Sequence, residues 1–447
     1  MAMTPDQEYV LKTIKGRDIS FVRFWFVDVM GNMKSFAVSP NEMENAFTEG
    51  VGFDGSCIDG FTSVACSDML AFPEASTFQI LPWRPNQDAV ARMFCTIRTP
   101  EGERFKADPR FILSRLVAKI EELGYECIVR PELEYYYFKD ATAPVPLDKG
   151  GYFDLMSLDS AVDLRRDTVL ALEHMGIPVE YSHHEEGPSQ NEVDLRESDV
   201  ASMADAIMTY KLVVKEIAAK HGVYASFMPK PLSNCPGNGL HLNISLFDED
   251  GNNVFYDEKD PLGYCLSKRA KCFIAGLLKY APEFSLITNQ YVNSYKRLIG
   301  GFSVPYSLNW GRSNRSTLVR VPAFRDARSP MNCLELRNAD PACNPYLALA
   351  AVLAAGLKGI VDELPLSKPV DETDLTTMSI QDFQAAGMKL LPRHLGEAIE
   401  LFASSTLMKD VLGEHIHSHL VQQKRAEWNE YLGQVSEWEL KRYLERL

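Results

Sequence analysis

The sequence predicts an α+β protein, with a small β-rich N-terminal domain followed by a larger domain that mixes strands and helices and ends mostly helical. Three observations carry this. Strand-like runs dominate the first hundred or so residues, a helical periodicity starts abruptly at Asp108-Pro109, and Arg130 to Phe138 (RPELEYYYF) alternates as a strand does. In that run Leu133, Tyr135 and Tyr137 share one face while Glu132 and Glu134 share the other. Two carboxylates one pleat apart repel unless a proton or cation lies between them, or unless both are simply solvated.

Taken in order, residues 4 to 15 read as a short amphipathic helix. Phe21 to Val29 and Met33 to Val38 read as a hairpin turning at Gly31-Asn32. Gly52 to Phe61 reads as a Gly- and Asp-dense loop, and Phe78 to Trp83 and Ala89 to Arg98 as two further strands. Asp108 suits an N-cap and Pro109 the first helical position. Ile112, Leu116, Ile120 and Leu123 keep a 3.6 period until Gly124. The domains are accordingly placed at 1–104 and 105–447. After the Glu132/Glu134 strand come a loop through Gly151, a helix from about Ala161 to Met175, and strands Val179 to Glu185 and Asn191 to Arg196, the second with Glu192 and Asp194 on one face. A long helix follows, with Met203, Ile207, Tyr210, Val214 and Ile217 on its apolar stripe, ending at Gly222. Leu240 to Leu246 is read as a strand that puts His241, Asn243 and Ser245 on one face. A helix from Ser267 to Ala281, irregular polar sequence to Val321, and a short strand with Glu335 beside Arg337 come next. The chain is mostly helical from Pro345.

The chain has 447 residues, 46% of them hydrophobic, with a net charge of −15, which speaks against a general nucleic-acid or anionic-membrane binder. Its nine cysteines form no CxxC pair, as expected of reduced structural thiols in a cytoplasmic protein. The longest small-apolar run, Tyr346 to Leu357, is too short to cross a bilayer. Small molecules, metals or copies of itself are the expected partners.

Strand faces offer Glu132, Glu134, Glu185, Glu192, His241 and Glu335. Carboxylates with one imidazole and no thiolate suit Mg²⁺ or Mn²⁺. Between Glu283 and Asp326 there is no acidic residue, while Lys296, Arg297, Arg312, Arg315, Arg320 and Arg325 fall there. Such a stretch either grips an anion or pairs with acids elsewhere. No P-loop or dinucleotide fingerprint occurs, so any nucleotide has to be held by metals and arginines. The run Cys235 to His241 (CPGNGLH) is either an N–H cradle or a turn, and His415 with His419 reads as a helix surface, lacking a third metal ligand.

Together these motifs make the chain similar to type I glutamine synthetase over essentially its whole length. The resemblance rests on FDGS at 53–56, SDM at 67–69, DPR at 108–110, GGYFD at 150–154, HHE at 183–185, QNE at 190–192, FMPKPL at 227–232, NSYKRL at 293–298, NRS at 314–316 and DPACNPYLA at 340–348. It implies a β-grasp N-terminal domain and a catalytic domain whose curved antiparallel sheet, flanked by helices, forms a funnel. It also implies a dodecamer of two hexameric rings with sites shared between neighbours. The implied reaction is phosphorylation of the glutamate γ-carboxylate by ATP, followed by displacement of phosphate by ammonia. By resemblance, Glu134, Glu185 and Glu192 hold one metal and Glu132, His241 and Glu335 the second. Arg297, Arg337 and Gly237 meet glutamate, Arg315 and Arg320 the phosphates, and Asn243 and Ser245 the nucleotide. Asp54 of the next subunit, with Tyr152 beside it, meets ammonium.

The chain also departs from the family pattern. Where the flap reads roughly PGYEAP, residues 300–305 read GGFSVP, with Ser303 in place of the glutamate that helps take a proton from ammonium. Cys57, Pro236 and Cys333 replace a serine, an asparagine and an arginine, and Ser63 stands where the α subgroup has a feedback-linked arginine. No adenylylation-type tyrosine loop lies near residues 376–392. Three functions follow: a ligase with ammonia or another amine as acceptor, a catalytically silent paralogue with a regulatory or scaffolding role, or a phosphotransferase that stops at phosphorylation.

Overall fold

The computed structural model describes residues 3–85, 87–155, 158–299, 304–324, 329 and 332–447. Helix α1 (Pro5–Gly16) starts with Thr4, whose hydroxyl accepts the Gln7 N–H while the Gln7 side chain returns to the Thr4 N–H, a capping box. It packs Val10 and Ile14 against a six-stranded mixed sheet. That sheet is built from β1 (Ile19–Val27), β2 (Met33–Val38), β3 (Val51–Asp54), β4 (Asp68–Pro73), β5 (Gln79–Ile80) and β6 (Ala89–Arg98), with α2 (Met43–Glu49) between β2 and β3. The β1–β2 hairpin forms as expected. Three strands differ from the sequence reading, of which β4 is not anticipated by it at all. Gly52 to Asp54, read as loop, pairs with β4, because Phe53 opposite Met69 covers the sheet's own core. The run expected as a strand from Phe78 to Trp83 pairs over two residues only. β1 and β6 run parallel, and Trp25, Val27 and Phe94 turn away from the domain's own core into the large one.

Asp108 caps α3 (Pro109–Glu122) by accepting the Arg110 N–H at 3.0 Å. Ile112, Leu116 and Ile120 are buried as predicted, whereas Leu123 sits beyond the last turn and is exposed. Then come β7 (Tyr125–Phe138), α4 (Val162–His174), β8 (Val179–His184), β9 (Gln190–Leu195), β10 (Ser198–Asp199), α5 (Val200–Lys220), β11 (Tyr224–Ser226), β12 (Leu240–Asp248), α6 (Lys268–Thr288) and α7 (Val292–Leu298). The chain finishes with β13 (Trp310–Arg312), β14 (Val319–Val321), β15 (Leu334–Leu336), α8 (Pro345–Val361), α9 (Ile380–Ala385), α10 (Leu395–Ala403), α11 (Thr406–Leu412), α12 (Glu414–Leu432) and α13 (Glu437–Tyr443). α6 was expected to stop at Ala281 but continues through Pro282 to Thr288, its flanks buried all round. The polar stretch before Val321 contains α7 and the paired strands β13 and β14.

The second sheet is curved, nine-stranded and ordered β13-β14-β15-β12-β7-β9-β8, with β10 and β11 also on β7. It is antiparallel as expected except at one edge, where β13 and β14 run parallel. Its inner face carries Leu133, Tyr135 and Tyr137 into the core, where Tyr135 meets Tyr210 and Phe227. The apolar run from Tyr346 becomes α8, buried on nearly every side. It crosses α6 at backbone distance: a Cβ on Gly276 would lie 2.3 Å from the Ala355 carbonyl, and one on Gly359 2.2 Å from that of Cys272. No helix among the described residues is long and apolar enough to cross a membrane.

The two domains are fastened at the start of α8. Asn344 caps that helix and donates to the Asp28 and Val29 carbonyls, both at 3.1 Å. Gly31 approaches with φ +85, and a Cβ there would lie 2.9 Å from the Asn344 Cα. Gly31→Ala combines backbone strain with a backbone clash and is expected to cost about 2–4 kcal/mol. A melting curve of the full-length protein checks this, with Gly102→Ala, also at positive φ but with open space around it, falling by less.

Candidate active site

Sheet register assembles the site. On the outer face of the second sheet, Arg320 lies opposite Glu335, Glu335 opposite Asn243, and Asn243 opposite Arg130. One pleat along, His241 lies opposite Glu132, Glu132 opposite Asp194, and Asp194 opposite Tyr181. A third row pairs Glu134 with Glu192 and Glu192 with His183. Period-2 alternation and strand pairing thus bring residues far apart in sequence onto one face. Arg130, Glu132, Glu134, Tyr181, His183, Glu192, His241 and Arg320 of these rows line a cleft of about 510 Å³ together with Tyr152, Glu185, Gln190, Pro236, Gly237, Arg297, Val304, Arg315 and Arg337, while Asn243, Glu335 and Asp194 are buried behind it.

Two groups of donors lie close enough to share an ion. Ligand atoms of Glu132, His241 and Glu335 fall within 4.8 Å of one another, as do those of His183, Glu185 and Glu192. The first group matches the expected trio. In the second, His183 stands with Glu185 and Glu192, its Nε2 2.9 Å from Glu185 Oε1, beside the Glu134 that the sequence reading puts with those two acids. The signal was available: Tyr181, His183 and Glu185 alternate, so an imidazole two residues before a predicted ligand shares its face. Glu134 stands just behind, accepting from the Gly239 N–H at 2.8 Å and Gln190 Nε2 at 3.1 Å.

Protonation reflects the crowding. Burial, reinforced by Glu185, pushes the Glu134 carboxyl up to about 8. Burial also raises Asp194 to about 7 and, with Asp194 and Glu134 adding repulsion, raises Glu192 well above the usual carboxylate range. Among the described residues, His183 Nδ1 and both Asp194 oxygens are buried with no partner at full hydrogen-bonding geometry, although Tyr181 and Glu192 approach Asp194. At the other end burial is outweighed: hydrogen bonds from His241 and Asn243 hold Glu132 at about 2, and Arg337 and Arg320 hold Glu335 below its ordinary value. Burial and Arg337 lower His241, leaving a neutral imidazole. Buried oxygen donors, neutral imidazole and orphaned acceptors are a donor set that fits hard divalent cations.

The basic stretch divides. Arg297, Arg315 and Arg320 reach the cleft, joined by Arg337, whereas Lys296 stacks over Tyr431 and Arg312 over Tyr264. Arg325 lies outside the described residues. Arg297 donates to the carbonyls of Arg337, Asn338 and Ala339, and its buried Nε has no partner among the described residues. Arg337 and Arg320 both pair with Glu335. Gly237 is required where it stands, since a Cβ would meet the Pro229 carbonyl at 2.4 Å and Arg297 Cγ at 2.8 Å. Tyr152 stacks on Phe153 at 4.1 Å and meets the His183 ring edge-on at 5.4 Å.

Some expected residues are placed elsewhere. Asn243 and Ser245 are buried in the sheet rather than lining the cleft. Asn243 donates to Glu132 Oε1 at 2.9 Å and accepts from Cys333, and Ser245 donates to the Asn332 carbonyl. Asp54 sits exposed at the end of β3 in the first domain, outside the cleft of its own chain, accepting from Ser56 N–H and Oγ and from the Cys57 thiol. Those bonds, Ser56's first, lower its pKa. Ser303 lies outside the described residues. His415 and His419 make no metal site; they bind the Gly60 carbonyl and Asp59, each at 2.9 Å, fastening the Asp54 loop to α12.

A carboxylate-lined cleft walled by arginines, on a curved sheet beside a small mixed-sheet domain, has the donor set to hold divalent cations together with anionic substrates. The model for the glutamine synthetase catalytic domain matches residues 106–443, and that for the glutamine synthetase β-grasp domain matches residues 18–100. The chain is 47% identical to the glutamine synthetase of Mycolicibacterium smegmatis, covering 99% of this chain and 100% of that one, and 46% identical to that of Methanosarcina mazei, covering 99% and 98%. A solved GmaS–ADP complex superposes with a TM-score of 0.87 at 27% identity, over 97% of this chain and 99% of that one. The cryo-EM glutamine synthetase of Plasmodium falciparum, 23% identical with 99% of each chain covered, shares the fold at 0.87. This chain belongs to the glutamine synthetase family, and it is an ATP-dependent carboxylate–amine ligase of α+β fold with a β-grasp N-terminal domain.

The raised carboxyls make metal and protons compete. Glu134 and Asp194 bind protons more tightly folded than unfolded, so between about pH 5 and 8 the metal-free protein loses stability as pH rises. A divalent ion reverses the sign. Melting temperature in EDTA is expected to fall from pH 6 to pH 8, and saturating Mn²⁺ is expected to restore it, most strongly at pH 8.

Proposed function

We propose that this protein is a glutamate–amine ligase working through a γ-glutamyl phosphate, with domains at 1–104 and 105–447. The observation that carries this is the pairing, in one cleft, of two acid-and-imidazole groups with Arg297, Arg315, Arg320 and Arg337. Glu134, Glu185 and Glu192, with His183, hold one divalent ion; Glu132, His241 and Glu335 hold the other. Bound Mg²⁺ or Mn²⁺ supplies charge neutralisation to the phosphate oxygens of ATP. The chain's own groups do the rest. Arg297 and Arg337 set the positive field that draws the glutamate carboxylates in, and Gly237 leaves the backbone free to approach them. Arg315, exposed at the cleft lip, and Arg320 stabilise charge on the transferred phosphoryl group. Asn243 orients Glu132, a support role in place of direct nucleotide contact, and Ser245 belongs to the same buried layer.

Asp54 completes the site from a neighbouring copy in a dodecamer of two hexameric rings, beside Tyr152. Its lowered pKa suits it to hold a cationic amine more than to take a proton from one. With Ser303 where the family's flap glutamate stands, the second half-reaction loses a proton acceptor and the acceptor pocket gains room. The acceptor is then ammonia or a bulkier, more readily neutral amine. The likeness to the GmaS–ADP complex supports a nucleotide on this fold, and free cysteines such as the exposed Cys57 and Cys66 support a reducing, cytoplasmic setting.

An amine panel decides the acceptor. With glutamate and ATP saturating, phosphate release is expected with at least one small primary amine at a rate matching or exceeding that with ammonia. Ammonia fastest by tenfold or more would remove the amine shift, and no glutamate-dependent turnover with any amine would favour the silent paralogue. Sharing of the site is tested by co-assembling two inactive chains, Asp54→Ala and Glu335→Ala. An equal mixture is expected to regain about a quarter of wild-type activity per site, the random fraction with both partners intact.

A further inference from the structure

We infer that His184 is a positioning residue for the His183–Glu185–Glu192 edge of the cleft, acting through a buried lock with Asp148 and Ser189; this rests on the reading of those three as cation ligands. His183 faces the cleft, so alternation turns His184 to the opposite side of β8, where its side chain is 0% exposed. Both ring nitrogens face acceptors. Nδ1 lies 2.7 Å from the backbone carbonyl of Glu185 and Nε2 lies 3.1 Å from Asp148 Oδ1. Asp148 in turn accepts from Ser189 N–H at 2.8 Å, Ser189 Oγ at 3.0 Å and Gly150 N–H at 3.3 Å, and its other oxygen takes Ser160 N–H at 3.0 Å. Ser189 Oγ also receives the N–H groups of Leu147 and Asp148 at 2.7 and 2.8 Å.

The turn between β8 and β9, which has Glu185 at one end and leads into Glu192 on β9, is therefore stitched to residues 147–150 through one imidazole. That ring sits against the carbonyl of a ligand residue itself. Tyr152 is set from the same point, since the His184 carbonyl accepts the Phe153 N–H at 3.0 Å and a Cβ on Gly150 would come within 2.7 Å of His184 Nε2. Donor atoms of Asp148, Asp159 and His184 lie as near to one another as those of the two cleft groups. They are not a third ion site, because Asp159 is paired with Arg165, which also donates to Asn191 at 2.5 Å, and Asp148 is filled by the donors above. Ser189 has φ +62, so the lock is kept despite a backbone angle that favours glycine.

The test is direct Mn²⁺ binding, by electron paramagnetic resonance on the full-length assembled protein, beside melting temperature. His184→Gln and Asp148→Asn are expected to weaken Mn²⁺ binding about 10–100-fold, the range for removing a group that orients a metal ligand. Ser189→Gly relieves the backbone angle while deleting the hydroxyl, and is expected to weaken binding in the same direction with little loss of melting temperature, so that a fold-compromised His184 variant does not decide the matter. Asp260→Asn, which breaks a buried pair with Lys271 outside the cleft, is expected to lower melting temperature and leave Mn²⁺ affinity unchanged. Wild-type affinity in Ser189→Gly and in whichever of the other two folds would overturn the lock, as would an equal loss of affinity in Asp260→Asn. Failure of the wild type to bind Mn²⁺ would overturn the ligand reading and the lock with it.

Discussion

Like charges held close together out of water are the constraint on which the rest of this molecule depends. Glu132, Glu134, Glu192 and Asp194 occupy neighbouring positions on one sheet face, and water reaches them too poorly to screen their repulsion. The chain meets this in different ways at the two ends of the row. Toward β15 it supplies its own cations, with Arg320 and Arg337 flanking Glu335. Toward β8 it supplies little beyond His183, which helps hold Glu185 below its ordinary value, while burial and repulsion raise Glu134 and Glu192 so that they favour their protons. The first end is preorganised in the metal-free protein, while the second is poised to exchange protons for an ion.

Holding that arrangement requires a rigid backing. The opposite face of β7 is aromatic, with Tyr135 edge-on to Tyr137 at 5.0 Å and both in the core. Behind the sheet, α6 and α8 meet through glycines, so that part of the core has few side chains to repack. The glycine-containing loop through Gly237 and Gly239 is fastened from two sides. Gln190 links Glu134 to the Gly237 carbonyl, and Tyr136 donates to that of Pro236. Glu134 and the loop are thus positioned by the same few groups, and a shift in one is felt by the other.

Much of this was legible in the sequence because strand alternation is a strong local code. It puts Glu132 with Glu134 and His241 with Asn243 on shared faces, and the alternation of Tyr181, His183 and Glu185 places His183 there just as directly. What alternation cannot give is register between strands. The opposition of Glu134 to Glu192, or of Arg320 to Glu335, depends on pairings set by the whole sheet. Charge counting likewise grouped Lys296 and Arg312 with the cleft arginines, although aromatic partners elsewhere claim them. β3 escaped notice because Gly52 and Asp54 carry turn-like composition while their neighbours supply the packing. α6 outran its expected end because the buried face on both sides of Pro282 outweighs one lost backbone bond.

The Asp54 loop belongs to the first domain yet is anchored by His419, 360 residues later in the chain. As the polypeptide leaves the ribosome, the β-grasp domain can close around its own core long before α12 exists. The loop after Asp54 therefore stays loose until the last helices are made. The earliest domain to be synthesised is among the last to become useful, and a truncated product ending before α12 would carry a well-formed sheet with an unset tip.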